Sequence, residues 1–188
     1  MNNILQARSA PPVDVSYSYG NVPLNQFSAP ARPDVVPGQP VYLYGSQYAG
    51  GKVINPAAFT SPPVTPAGCD PGVDYPCNPV RPGTLSRDSL RGFGMFQWDF
   101  AVHREFALHE SLKLEFRAEM FNVLNHPNFG PPSGNLGAPP PNGNQQFGQS
   151  TAMLGQSLSG GNVGAGAFSP LYQIGGPRSI QLALKVRF

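Results

Sequence analysis

The chain is short of charge and has no long apolar run. Of its 188 residues only 12% are Asp, Glu, Lys or Arg, and the formal net charge is +2. So small a balance offers a polyanion nothing to hold, which excludes nucleic acid as a partner. No stretch of about 18 apolar residues occurs, so there is no transmembrane helix; strands remain open, because their signal per segment is weaker. Cysteine is nearly absent too. Cys69 and Cys77 are the only two, set in a Pro/Gly/Asp-rich stretch, and the three histidines, His103, His109 and His126, are scattered. That excludes a metal site by spacing, and in an exported protein two such cysteines read first as a local disulfide. Catalytic signatures are missing as well. Gly155-Gln156-Ser157-Leu158-Ser159 ends in Ser where a nucleophile elbow needs Gly, and the glycines from Gly160 to Gly166 lack the dinucleotide spacing. Neither an enzyme nor a cofactor is expected. Met1 to Pro12 has no basic segment followed by an apolar one, the pattern of a secretory signal, so these residues are expected to be a C-terminal piece of a longer chain.

What is abundant is glycine and proline, 22 and 23 residues, which nearly excludes helix as the main architecture. Between the Gly/Pro-rich stretches lie segments of strict alternation. From Ser179 to Phe188, Ile180, Leu182, Leu184, Val186 and Phe188 fall on one face and Ser179, Gln181, Ala183, Lys185 and Arg187 on the other. Ten residues tilted by roughly 40° rise ~25 Å, the height of an apolar band across an outer membrane. From Met95 to about Phe106, Phe96, Trp98, Phe100 and Val102 oppose Gln97, Asp99, Ala101, His103 and Glu105. After a tight turn near His109 and Glu110, Leu112, Leu114, Phe116, Ala118 and Met120 oppose Lys113, Glu115, Arg117 and Glu119. A shorter alternation, Val13, Val15, Tyr17 and Tyr19, is taken as the first strand.

These segments predict an all-β fold: an antiparallel meander of about four transmembrane strands with long extracellular loops, a fragment of a large outer-membrane β-barrel. Residues 1–94 hold the short strand and a long extracellular loop with too little apolar content for a core. Residues 95–121 form a transmembrane hairpin, 122–178 a second long extracellular loop, and 179–188 the C-terminal transmembrane strand. The turn at His109 and Glu110 is periplasmic, because barrels keep short turns inside and long loops outside. Leu112, Leu114, Phe116, Ile180, Leu182, Leu184 and Val186 are expected to face lipid, with Leu184 near mid-membrane. Lys113, Glu115, Arg117, Glu119, Lys185 and Arg187 form a row facing the lumen, because Lys or Arg at mid-bilayer costs roughly 2 to 4 kcal/mol. For any one of them an ion-pair ladder is the plainer role than a transport path. Glu115 and Glu119, though spaced as a carboxylate pair, are read as lumen wall. Arg104 has the parity of the lipid face, so it either snorkels at the periplasmic interface, the favoured reading, or follows a bulge.

Several runs resemble a known family. They are Asn55-Pro56-Ala57-Ala58-Phe59, the stretch Gly83-Thr84-Leu85-Ser86-Arg87-Asp88-Ser89-Leu90-Arg91-Gly92, Trp98-Asp99, the segment from Phe116 through Asn122, Asn125 and Asn128 to Gly130, and Gly176-Pro177-Arg178 running into the last strand. Their order resembles the C-terminus of Oar-like TonB-dependent outer-membrane transporters. The resemblance implies a barrel of about 22 strands with an N-terminal plug that couples to TonB. It also implies that Phe188, with alternate apolar positions before it, is read as a signal by the barrel-assembly machinery. The plug and most of that barrel are missing from these residues, so TonB would be reached only through the missing plug, and the chain alone would not transport. The expected partners are outer-membrane lipid, the assembly machinery and an unknown large nutrient. A surface adhesin binding sugars or proteins through Tyr42, Tyr44, Tyr48 and Tyr75 is the competing expectation, and a soluble secreted β-protein a third.

Overall fold

The computed structural model describes residues 1–17, 32–69, 74, 77–109, 112–137, 143–158 and 174–188. Its longest elements are four strands: β1 (Asn2–Arg8), β2 (Met95–Ala107), β3 (Lys113–Phe121) and β4 (Ser179–Arg187). They form one antiparallel sheet in the order β1-β2-β3-β4. Strict alternation in β2, β3 and β4 fixes the register, because a slip of one residue would turn every side chain to the wrong face. Pairing runs unbroken from Phe100 opposite Met120 to Ala107 opposite Lys113. No bulge intervenes, so Arg104 keeps the parity of the apolar face. Between β2 and β3 the backbone closes through bonds between His109 and Leu112 in both directions. Leu112 thus belongs to the turn, one residue before the strand where its lipid-facing role was expected; Glu110 lies outside the described residues.

The chain divides into two units. The first holds Met1–Ala10, Phe93–Gly130 and Ala152–Phe188, and with them the four-stranded sheet. The second holds Pro11–Gly92 and Pro131–Thr151. It corrects two expectations. The first strand of the sheet is Asn2–Arg8, not the segment from Val13; Val13, Val15 and Tyr17 alternate because they enter the second unit's core, and Tyr19 lies outside the described residues. Nor is the long segment coreless. Ile54, Ala58, Phe59, Leu85, Leu90, Leu136 and Phe147 close on those three residues, with the Phe59 and Phe147 rings edge to face at 5.9 Å. Short ladders gather these sparse side chains. They are Pro12–Val13 with Leu90–Arg91, Ser16–Tyr17 with Asn135–Gly137, Asp34–Val35 with Phe59–Thr60, Tyr42–Tyr44 with Lys52–Ile54, and Val64–Thr65 with Asn78–Pro79. A disulfide joins Cys69 to Cys77 across the turn of the last of these, with the Cα atoms 5.8 Å apart.

Several of the runs noted in the sequence are building parts of this unit. Asn55 is buried; its side-chain amide donates to the Pro40 carbonyl at 2.8 Å and its oxygen accepts from the Ala57 amide, so the turn that sends Ala58 and Phe59 inward is held from both sides. At Gly83 a Cβ would collide with the carbonyl oxygens of Arg32 and Pro33, so only glycine lets the two segments meet. Beside it Asp34 takes a two-pronged bond from Arg81 at 2.7 Å on each oxygen and one from the Thr84 amide at 2.9 Å. The Arg81 hydrogen bond holds the Asp34 carboxyl below its ordinary value, and the same contact raises Arg81.

Candidate functional site

The register sorts the sheet into two chemically opposed faces. On one, successive rows run Phe100–Met120–Ile180, Val102–Ala118–Leu182, Arg104–Phe116–Leu184 and Phe106–Leu114–Val186. On β1, Asn3, Leu5 and Ala7 continue it opposite Phe100, Trp98 and Phe96. Ile180, Leu182, Leu184 and Val186 are between 51% and 69% exposed, whereas Val15 in the second unit is 2% exposed. The described residues therefore leave this apolar surface uncovered, a surface far too continuous for one in water. Arg104 is the one charged side chain on it among the described residues. It shares a row with Phe116 and Leu184.

The other face carries the ion pairs. Its rows are Ala101–Glu119–Gln181, His103–Arg117–Ala183, Glu105–Glu115–Lys185 and Ala107–Lys113–Arg187. Glu105 and Glu115 stand directly opposite, an arrangement that costs energy unless cations intervene. Lys113 and Arg187 do so diagonally, and the His103 ring adds a third contact. Lys113 Nζ lies 3.0 Å from Glu105, His103 Nε2 lies 3.2 Å from Glu115, and Arg187 lies 3.1 Å from the other Glu115 oxygen. Arg117 pairs with Glu119 along β3. Lys113, Glu115, Arg117, Glu119, Lys185 and Arg187 thus share one face as their parity required, and five of them enter ion pairs with each other or with His103 and Glu105. Around Asn2, Ala101, His103, Glu115 and Arg117 the face dips into a polar concavity of about 270 Å³. Glu115 is thus held by Arg187 and His103, and Glu119 by Arg117.

At the other end of the strands lie three buried amides around a buried carboxylate. Gln97, Asp99, Asn122 and Asn128 are at most 7% exposed. Asp99 accepts from the Gln97 amide at 2.8 and 3.0 Å and from the Asn122 backbone at 2.9 Å. Gln97 in turn accepts from the Gly175 amide at 2.6 Å. Asn122 donates to the carbonyls of His126 and Gly176, both at 2.9 Å, while Asn125 accepts from Arg178 and Asn128 from Phe96. This clasp ties the two ends of the segment after β3 to each other and to β2. It was not foreseen as a site; the signal was present in asparagines at 122, 125 and 128, since Asn122 and Asn125 take left-handed backbone angles that asparagine tolerates best.

A sheet with an uncovered apolar face, a paired ionic face and strands of seven to thirteen residues has the anatomy of a membrane barrel wall. The model of the outer membrane beta barrel domain family matches residues 1–181. The chain belongs to that family. The outer membrane is therefore where this barrel domain resides. No curated protein and no solved structure matches it. Membership accounts for the absence of any helix long and apolar enough to cross a membrane among the described residues, because a barrel crosses with strands.

Away from the sheet, the barrel domain shows an aromatic surface in its second unit. Tyr44 is 73% exposed, its ring centroid 6.4 Å from that of Tyr42, and the Lys52 ammonium sits 5.1 Å over the Tyr42 ring. Tyr42 Oη and Lys52 Nζ both bond the Arg91 carbonyl at 3.2 Å, and desolvation holds the Lys52 pKa below its ordinary value. Tyr48 is partly buried in the turn after Tyr44, and Tyr75 lies outside the described residues. Phe188, one residue beyond β4, is 98% exposed.

Proposed function

We propose that this barrel domain is the C-terminal sector of an Oar-like TonB-dependent transporter that takes up a large nutrient. Its apolar face meets lipid and its ionic face lines the lumen. The carrying observation is the ionic face: charges joined across β2, β3 and β4 around a polar concavity suit the wall of a wet channel or the seat of a plug, and would be ruinous against lipid. β1 and β4 form the edges of the sheet among the described residues, and in hydrocarbon an edge needs a partner, so further strands complete the wall. The tight turn between β2 and β3 then lies in the periplasm and the long segments outside. The order of sequence runs set out above supports the transporter within the wider class. Lipid, the barrel-assembly machinery and, through a plug, TonB are the proposed partners; no catalysis is proposed.

Uptake of labelled oligosaccharides and peptides by cells producing the whole protein tests this. Transport predicts accumulation that collapses on loss of TonB or on adding a protonophore. Surface binding that neither treatment changes would overturn it in favour of adhesion, the reading that exposed Tyr44 beside Tyr42 and Lys52 supports, with sugar rings as the stacking ligand.

A further inference from the structure

Arg104 is the one charged side chain on a face whose other members among the described residues, Asn3 apart, are apolar. We propose that it binds the phosphate of a phospholipid in the periplasmic leaflet. The inference rests on the lipid-facing assignment above. Its row partners are Phe116 and Leu184, and Leu182 and Val186 flank it on β4. No acidic side chain shares that face among the described residues, since Glu105 and Glu115 point to the opposite one and are held there by Lys113, His103 and Arg187. A charge left in hydrocarbon costs roughly 2 to 4 kcal/mol at mid-bilayer and little near the interface, so an anion at the boundary is what makes this position tolerable.

Geometry indicates which boundary. Arg104 stands one row, two residues, from Phe106 on the turn side, a height of about 5 Å in a tilted strand and within the reach of an extended arginine. The guanidinium already leans that way, 5.3 Å over the Phe106 ring. Stacking on that ring leaves the planar fork of N–H groups free to take two phosphate oxygens, a match lysine cannot reproduce. Acyl chains would lie along Phe116, Leu184 and Leu182, which are otherwise uncovered. The turn side is periplasmic by the short-turn rule, so a phospholipid rather than a lipopolysaccharide supplies the phosphate.

The test is native mass spectrometry of the whole delipidated barrel protein with phosphatidylglycerol, with diacylglycerol, which lacks the phosphate, and with lipid A, the lipopolysaccharide anchor. Wild type is expected to retain phosphatidylglycerol well above the other two. Arg104→Gln should lower that retention by about fivefold or more, and Arg104→Lys by about twofold, the loss of one charged two-pronged contact. Heat-modifiability on gels shows that each variant is folded. Wild-type retention by a folded Arg104→Gln protein, or equal retention of diacylglycerol, overturns the proposal, and preferential retention of lipid A overturns the leaflet assignment. Should the glutamine variant not fold, the lysine variant decides, and unchanged retention by it overturns the two-pronged site. Were the faces themselves misassigned, Leu182→Arg and Ala183→Arg would destabilise equally, which separates failure of the frame from failure of this site.

Discussion

At Asn122 one side chain does the work of several backbone caps. It is 1% exposed, its φ is +48°, and it satisfies the His126 and Gly176 carbonyls and the His126 amide at once. Asn122→Ala strands those groups in a buried place and puts alanine at a backbone angle it tolerates less well, so a loss of about 3 kcal/mol is expected. Urea titration of the folded barrel reads it; a loss below about 1 kcal/mol would mean the clasp is not what holds the segment. Asp34 supplies a pH dependence with a definite sign. Its carboxyl is held below the ordinary 3.8, first by the Arg81 hydrogen bond. A depressed folded pKa adds stability that is present above that ordinary value and is lost as pH falls through the lower folded one. The pair is partly exposed, so the step is small. Thermal melts between pH 5 and pH 2 should show it in wild type and show it flattened in Asp34→Asn; an unchanged profile would remove Asp34 from the acid response.

Among the elements, β2, β3 and β4 were legible because their sequences alternate over a length that leaves one register. β1 was not. Asn2 to Arg8 puts Asn3 on the apolar face and Ile4 on the polar one, so it carries almost no period of its own and is a strand only because β2 pairs with it. The segment from Val13 shows the converse: alternation marks a side buried and a side exposed, without naming the layer that does the burying. The second unit's core was hidden for a related reason. Its apolar residues are spread from Val13 to Phe147 and meet through turns whose geometry, as at Gly83 and Asn55, is set by contacts far away in sequence. Ion pairs were foreseen by face but not by partner, because the diagonal choices of His103 and Arg187 depend on the cross-strand register. The lipid face is tested beside the middle of β4, at Leu182 and its neighbour Ala183. Leu182→Arg should destabilise the barrel by about 2 to 4 kcal/mol and Ala183→Arg by much less, provided the lumen has room. Unfolding in lipid vesicles compares the two; equal losses would mean that the faces are reversed or that neither meets lipid.

For the whole molecule, the open question is what makes a sheet with an uncovered apolar face reach the membrane before it aggregates. The end of the chain bears on it. Phe188 is 98% exposed and lies beyond the last paired residue, since Arg187 opposite Lys113 closes the register. It therefore adds little to the sheet, yet it ends a strand whose alternate residues, Val186, Leu184, Leu182 and Ile180, present one apolar edge to whatever meets β4 first. If that ending is a signal for the assembly machinery, Phe188→Asp lowers the amount and rate of barrel reaching the surface, while barrel already folded keeps its unfolding midpoint within about 0.5 kcal/mol, the ordinary range for an exposed site. If Phe188 is only an interfacial aromatic, the order reverses: delivery is normal and the folded barrel is weakened. Heat-modifiability of newly made protein, followed over time beside protease access to the segment between β3 and β4, separates them. Normal delivery of Phe188→Asp protein would overturn the assembly role.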